Sequence, residues 1–231
     1  AQIMVYCWLW AMDQDLDMVV GRLTRATPEG VIIGREDREF TREETVDFSL
    51  GLVARFLEEL KAGERWRLLR DASISAMPFP FARPRKGQME LAMEVQAMCR
   101  QGGKLLAEAP TGLGKTMGVL YPAVKALAQG AAKWVFYLTA KTTGKSAAEQ
   151  ALEHMRRKGL RIRSTTLTAK DRICPNPARE CIPGRCDLLD GYFKHSHRAM
   201  SQALEYEDFT RVRIETVAEN KHICPFELGL D

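Results

Sequence analysis

Residues 104–116, KLLAEAPTGLGKT, join a short apolar run to a glycine-rich turn that ends in Lys115 and Thr116. The run 104–109 has the length of one strand. Ala109, Pro110, Thr111, Gly112, Leu113, Gly114, Lys115 and Thr116 then have the spacing of a phosphate-binding loop set between a strand and a helix. The glycines let the backbone curl so that its N–H groups, with the helix N-terminus, surround a β-phosphate. Lys115 is placed to reach the β- and γ-phosphates and Thr116 to hold Mg2+, so ATP is the expected ligand and these two are the candidate catalytic residues.

Strand and helix signals alternate around this loop. Helices are expected over 88–100, from Lys115 onward and over 146–158, the first closed by Gly102-Gly103 and the last by Gly159. Strands are expected at KLLAEA (104–109), WVFYLT (134–139) and RIRSTTLT (161–168). Strands joined by helices of this length predict a parallel sheet with crossover connections. Upstream, MPFPFARP (77–84) carries three prolines, which neither a helix interior nor a central strand tolerates, and marks a domain boundary. After about residue 169 the alternation gives way to a segment rich in cysteine, proline and arginine, with helix candidates at 186–204 and near 208–219.

Before the boundary, QIMVYCWLWAM (2–12) is apolar almost all round and predicts a buried helix. Thr27-Pro28-Glu29-Gly30, flanked by β-branched runs, is a type I turn that predicts a hairpin. Thr41 and Glu44 form a capping box, and Val46, Leu50, Val53, Leu57 and Leu60 recur at helical spacing, so an amphipathic helix is expected from about 42 to the mid-60s.

The 231 residues are 45% hydrophobic and 28% charged, which leaves room for a sizeable core. A formal net charge of +4 favours an anionic partner only mildly, because the basic residues are spread along the chain. No run approaches the roughly eighteen apolar residues of a membrane span, and no signal-peptide pattern opens the chain, so a cytoplasmic location without a membrane partner is expected. The chain starts at Ala1 inside an apolar run and stops at Asp231 soon after a cysteine, the pattern expected of a fragment.

Three cysteines, Cys174, Cys181 and Cys186, fall within ICPNPARECIPGRC (173–186), and Cys224 opens a Cys-Pro-Phe sequence. A nucleotide-binding loop places the protein in a reducing compartment and disfavours a disulfide framework. Four thiolates suit a metal, with His195, His197 and His222 as substitutes, and spacing alone leaves zinc and iron both open. Cys7 and Cys99 lie on apolar helical faces and read as core. Tyr192, Phe193, Lys194, His195, His197 and Arg198 form a basic and aromatic cluster suited to DNA contact, or equally a solvated helix face.

Taken together, FPFARPRKGQ (79–88), TGLGKT (111–116) and VFYLTAKTTG (135–144) resemble the opening of an XPD/DinG-like iron-sulfur DNA helicase of superfamily 2. Ala109 in place of the loop's first glycine is common among helicases. The resemblance implies that Arg85 and Gln88 belong to the ATP site, with Gln88 contacting adenine, after the aromatic-Pro-aromatic segment Phe79-Pro80-Phe81. It implies that Thr139, Lys141, Thr142 and Thr143 touch the phosphates of single-stranded DNA without reading its sequence. It also implies a 4Fe-4S cluster on Cys174, Cys181, Cys186 and Cys224; Cys181 departs most, because the family's middle ligands often lie farther from the first. Zinc is the alternative metal.

Gln2 and Tyr6, four apart on one helical face, resemble the helix after the active site of RecB-like nucleases, a domain that some bacterial members carry in front of the motor. The implied fold is α/β. Residues 1–75 are the C-terminal part of a nuclease-like domain, a small α+β piece. Residues 76–168 are the N-terminal part of motor domain 1, a partial RecA-like P-loop domain with a parallel sheet and crossover helices, and residues 169–231 are a mostly helical iron-sulfur insertion. The implied function is 5′ to 3′ ATP-dependent helicase action on single-stranded DNA and DNA junctions in repair or recombination. The Mg2+-binding carboxylate motif and motor domain 2 are not in the sequence, so the 231 residues alone are expected to be inactive. The alternatives are a nucleotide-binding protein with a zinc-stabilised nucleic-acid module, and a nuclease accessory subunit.

Overall fold

The computed structural model describes residues 1–176 and 180–231. Helix and strand are mixed, helix dominating. Helix α1 (Gln2–Asp13) packs on a hairpin of β1 (Met18–Ala26) and β2 (Ile32–Thr41), whose antiparallel register runs from Met18 opposite Thr41 to Ala26 opposite Ile32. The turn forms where the sequence places it: the Gly30 N–H donates to the Thr27 carbonyl at 2.9 Å, and Gly30 adopts a φ of +88°, which favours glycine.

The capping box also forms. The Thr41 N–H donates to Glu44 Oε2 at 2.9 Å and the Glu44 N–H to Thr41 Oγ1 at 3.2 Å, starting α2 (Arg42–Ala76). This helix outruns its expected end in the mid-60s. No proline interrupts residues 61–76, and the Glu58–Lys61 and Glu64–Arg67 pairs support successive turns. It stops where Pro78 disfavours helical backbone at Met77. Helix α1 is not the buried helix that its composition predicts. Cys7 and Ala11 turn inward, but Tyr6, Leu9, Trp10 and Met12 are exposed, as are Leu50, Val53, Leu57 and Leu60 of α2. A two-stranded hairpin covers only one side of a helix.

The chain divides into two units, Ala1–Arg67 and Leu68–Asp231. In the second, α3 (Gln88–Gln101) packs on α4 (Lys115–Ala128) and α4 on α5 (Thr142–Arg156). Ile74 and Met77 join Met117, Leu120, Val124, Met155 and Leu160 in their core. Lys125 Nζ donates to the carbonyls of Ile74, Ser75 and Met77, which the end of α2 leaves without helical partners. Burial pushes the pKa of the Lys125 ammonium down.

The expected parallel sheet does not form among the described residues. Beyond the hairpin, the only ladder among the described residues is the two-residue parallel pairing of β3 (Ser164–Thr165) with β4 (Asp208–Phe209). Residues 104–109 and 134–139 lie outside any ladder, with Leu106 99% and Leu138 89% exposed. A helix closes its hydrogen bonds within its own segment, whereas a strand takes them from a neighbour, and no described segment supplies one here.

The cysteine-bearing part consists of α6 (Lys170–Ile173), α7 (Asp187–Ala203), α8 (Arg211–Lys221) and α9 (Pro225–Leu230). Ile173, Ala199, Phe209, Ile214, Val217 and Leu228 form its core. Helix α8 starts later than expected because Asp208 and Phe209 pair as β4. Arg156 ties α5 to this part, its Nη2 donating to the carbonyls of Ile162 and Glu207 and to Ser164 Oγ.

Candidate functional site

The loop 109–114 leads into α4, with Gly114 as the helix N-cap. Gly112 and Gly114 both adopt a φ of +83°. Lys115 Nζ donates to the carbonyls of Ala109 at 2.9 Å and Pro110 at 3.0 Å, so the ammonium lies across the loop's own entrance. Thr116 is in the first turn of α4 and half-buried, while Pro110, Thr111, Gly112 and Lys115 are exposed. Exposed N–H groups, a helix N-terminus and an ammonium make this an anion-binding arrangement.

Gln88, only 2% exposed, stands behind the loop at the start of α3. Its Nε2 donates to the Gly114 carbonyl at 3.0 Å, and its Oε1 accepts the Arg85 N–H at 3.1 Å. Arg85 Nη1 donates to the Gly112 carbonyl. A Cβ on Gly114 would collide with Gln88 Nε2, so both backbone angle and contact hold this position to glycine. The segment Phe79-Pro80-Phe81 is anchored by its rings: Phe79 meets Tyr121 of α4 edge-on at 5.1 Å, and Phe81 meets His154 of α5 at 5.3 Å.

Helix α5 begins four residues ahead of the expected Ser146, which puts Thr142 and Thr143 in its first turn and makes Lys141 its N-cap. Thr139 Oγ1 donates to the Lys141 carbonyl at 3.2 Å. All four residues are exposed, so the hydroxyls of Thr142 and Thr143, the Lys141 ammonium and the helix N-terminus are available to an anion.

The six cysteines are free thiols. Cys186 and Cys224 are the N-caps of α7 and α9, Cys174 is the C-cap of α6, and Cys181 is exposed between them. The Lys170 ammonium is held above the ordinary lysine range by a hydrogen bond to Cys181, and then by the charges of Cys181, Cys174 and Cys224. Burial pushes the Cys224 thiol up, while the N–H groups of Glu227 and Phe226 pull it down and the charges of Glu227 and Cys174 push it up. Cys174, Cys181 and Cys224 thus share the surroundings of Lys170. No group of three or more His, Cys, Asp or Glu side chains among the described residues is drawn together as a metal-binding set. The donor chemistry fits a thiophilic metal: four uncrosslinked thiols, three of them at helix ends.

Sequence reasoning missed Lys170; its spacing of four from Cys174 is the signal that could have found it. It also missed a cavity of about 270 Å3 lined by Asp187, Asp190, Gly191, Lys194, His195 and His222, which brings one face of α7 to the end of α8. In that cavity's wall, Asp190 accepts the Gly184 N–H through both carboxylate oxygens, at 3.0 and 3.1 Å. Phe193, Lys194, His195, His197 and Arg198 are exposed on α7. Cys7 is buried and Cys99 half-buried. In α1, Gln2 Nε2 donates to the Tyr6 hydroxyl at 3.0 Å, so the pair does share a face.

No family model, curated protein or solved structure matches the chain. No helix among the described residues is long and apolar enough to cross a membrane.

Proposed function

We propose that the chain is the central part of an ATP-dependent DNA helicase of the iron-sulfur type, acting 5′ to 3′ on single-stranded DNA and junctions in repair or recombination. The observation that carries this reading is the loop 109–116, with two left-handed glycines, an exposed helix N-terminus and Lys115 lying across its mouth. With ATP bound, Lys115 would exchange the Ala109 and Pro110 carbonyls for phosphate oxygens, and Thr116 would hold Mg2+. The exposed Thr139, Lys141, Thr142 and Thr143 take the phosphates of the DNA strand. A 4Fe-4S cluster on Cys174, Cys181, Cys186 and Cys224, when bound, supplies a structural crosslink among α6, α7 and α9. In this reading residues 1–75 belong to a nuclease-like domain, 76–168 to a RecA-like motor domain and 169–231 to the cluster domain. The 231 residues lack the carboxylate motif that aligns water and Mg2+, so they bind ATP without steady turnover.

Elemental analysis of anaerobically purified protein tests the proposal. Brown protein with about four iron atoms per chain supports it. Stoichiometric zinc without iron contradicts it and favours a nucleotide-binding protein with a zinc-stabilised nucleic-acid module.

A further inference from the structure

We infer that Gln88 is a positioning residue of the phosphate loop and not a reader of the nucleotide base: its buried amide, together with the Arg85 guanidinium, aims the loop's N–H groups at phosphate. The inference rests on the reading of 109–116 as a phosphate site.

Gln88 is turned into the protein, with one amide N–H and one carbonyl lone pair engaged there. Its side chain is 2% exposed, with Nε2 engaged by the Gly114 carbonyl and Oε1 by the Arg85 N–H. The Gly114 carbonyl also accepts the Gly118 N–H at 3.0 Å, so both of its lone pairs are used. Turning the Gln88 amide toward a base would remove a partner from each of two neighbouring backbone groups, a cost that a neutral hydrogen bond to the base does no better than offset.

The direction of the bonds gives the brace its consequence. The peptide bonds here are trans, and in a trans peptide the carbonyl and the next residue's N–H point opposite ways. With the Gly114 carbonyl drawn to Gln88, the Lys115 N–H points away from Gln88. With the Gly112 carbonyl drawn to Arg85, the Leu113 N–H points away from Arg85. The two left-handed glycines of the loop are therefore oriented by two residues of one short sequence, Arg85-Lys86-Gly87-Gln88.

A brace and a base reader respond differently to a ligand without a base. The test measures the affinity of the full chain for ATP, GTP and inorganic tripolyphosphate, in wild type, Gln88→Ala and Gln88→Glu. Glutamate keeps an acceptor for the Arg85 N–H but cannot donate to Gly114 when ionised. The expected result is that all three ligands weaken by one common factor, about tenfold, in both variants. ATP weakening while tripolyphosphate binds as before overturns the inference and leaves the phosphate site standing. Wild-type protein that binds none of the three overturns the phosphate site and the inference with it. Should both Gln88 variants unfold, Arg85→Ala at an exposed side chain decides: a smaller common weakening at unchanged melting temperature supports the brace, and unchanged tripolyphosphate affinity overturns it.

Discussion

The Gly114 carbonyl accepts two hydrogen bonds and has Gln88 packed against its Cα, whereas Cys181 is exposed and meets the rest of its candidate site through Lys170. The phosphate loop is restrained by its own chain: Arg85 and Gln88 hold two carbonyls, and Lys115 bonds two more. The cysteines come from helix ends and a connecting segment, and among the described residues they are not gathered into a metal-binding group. A loop that binds through backbone N–H groups has its shape before the ligand arrives, while a thiolate site gains its last order from the metal that binds it.

Metal removal strains this comparison hardest. Chelation under reducing conditions is expected to open residues 169–231 to proteolysis and hydrogen exchange and to leave α3, α4 and α5 protected, because metal binding and local folding share one free energy. Equal loss of protection in both regions would show that the phosphate-loop region also depends on the metal. Next in size is Gly114→Ala, which forces a Cβ into a φ of +83° and against Gln88. It should cost about 2 kcal/mol in urea unfolding, together with phosphate affinity; a neutral outcome would mean that the loop is not braced as described. Smaller again is Lys125→Ala, which strips the donor from three carbonyls around the end of α2. A loss of about 1–2 kcal/mol is expected in the same assay without any change in phosphate binding.

The features legible in the sequence are those whose bonds close locally. The turn at Thr27–Gly30, the capping box of Thr41 and Glu44, and the starts of α3 at Gln88 and α4 at Lys115 are each fixed within a few residues. Residues 104–109 and 134–139 have as strong an apolar signal, yet they acquire no ladder, because a strand's hydrogen bonds belong to its neighbours. Composition alone also misplaced α1, whose apolar circumference says nothing about how much surface is present to cover it. In the site, residue types and spacing picked out the loop and the cysteines. The burial of Gln88 and the place of Lys170 among the thiols depend on contacts across 26 residues to Gly114 in one case and up to 54 residues to Cys224 in the other, which no local pattern encodes.

The central claim is that residues 109–116 form a nucleotide-phosphate site. Calorimetric titration of the chain with Mg2+-ATP, wild type against Lys115→Ala, tests it most directly. Saturable binding with one ATP per chain, weakened at least about tenfold by the substitution, is the predicted result. Equal binding by both proteins, or none by the wild type, would contradict it.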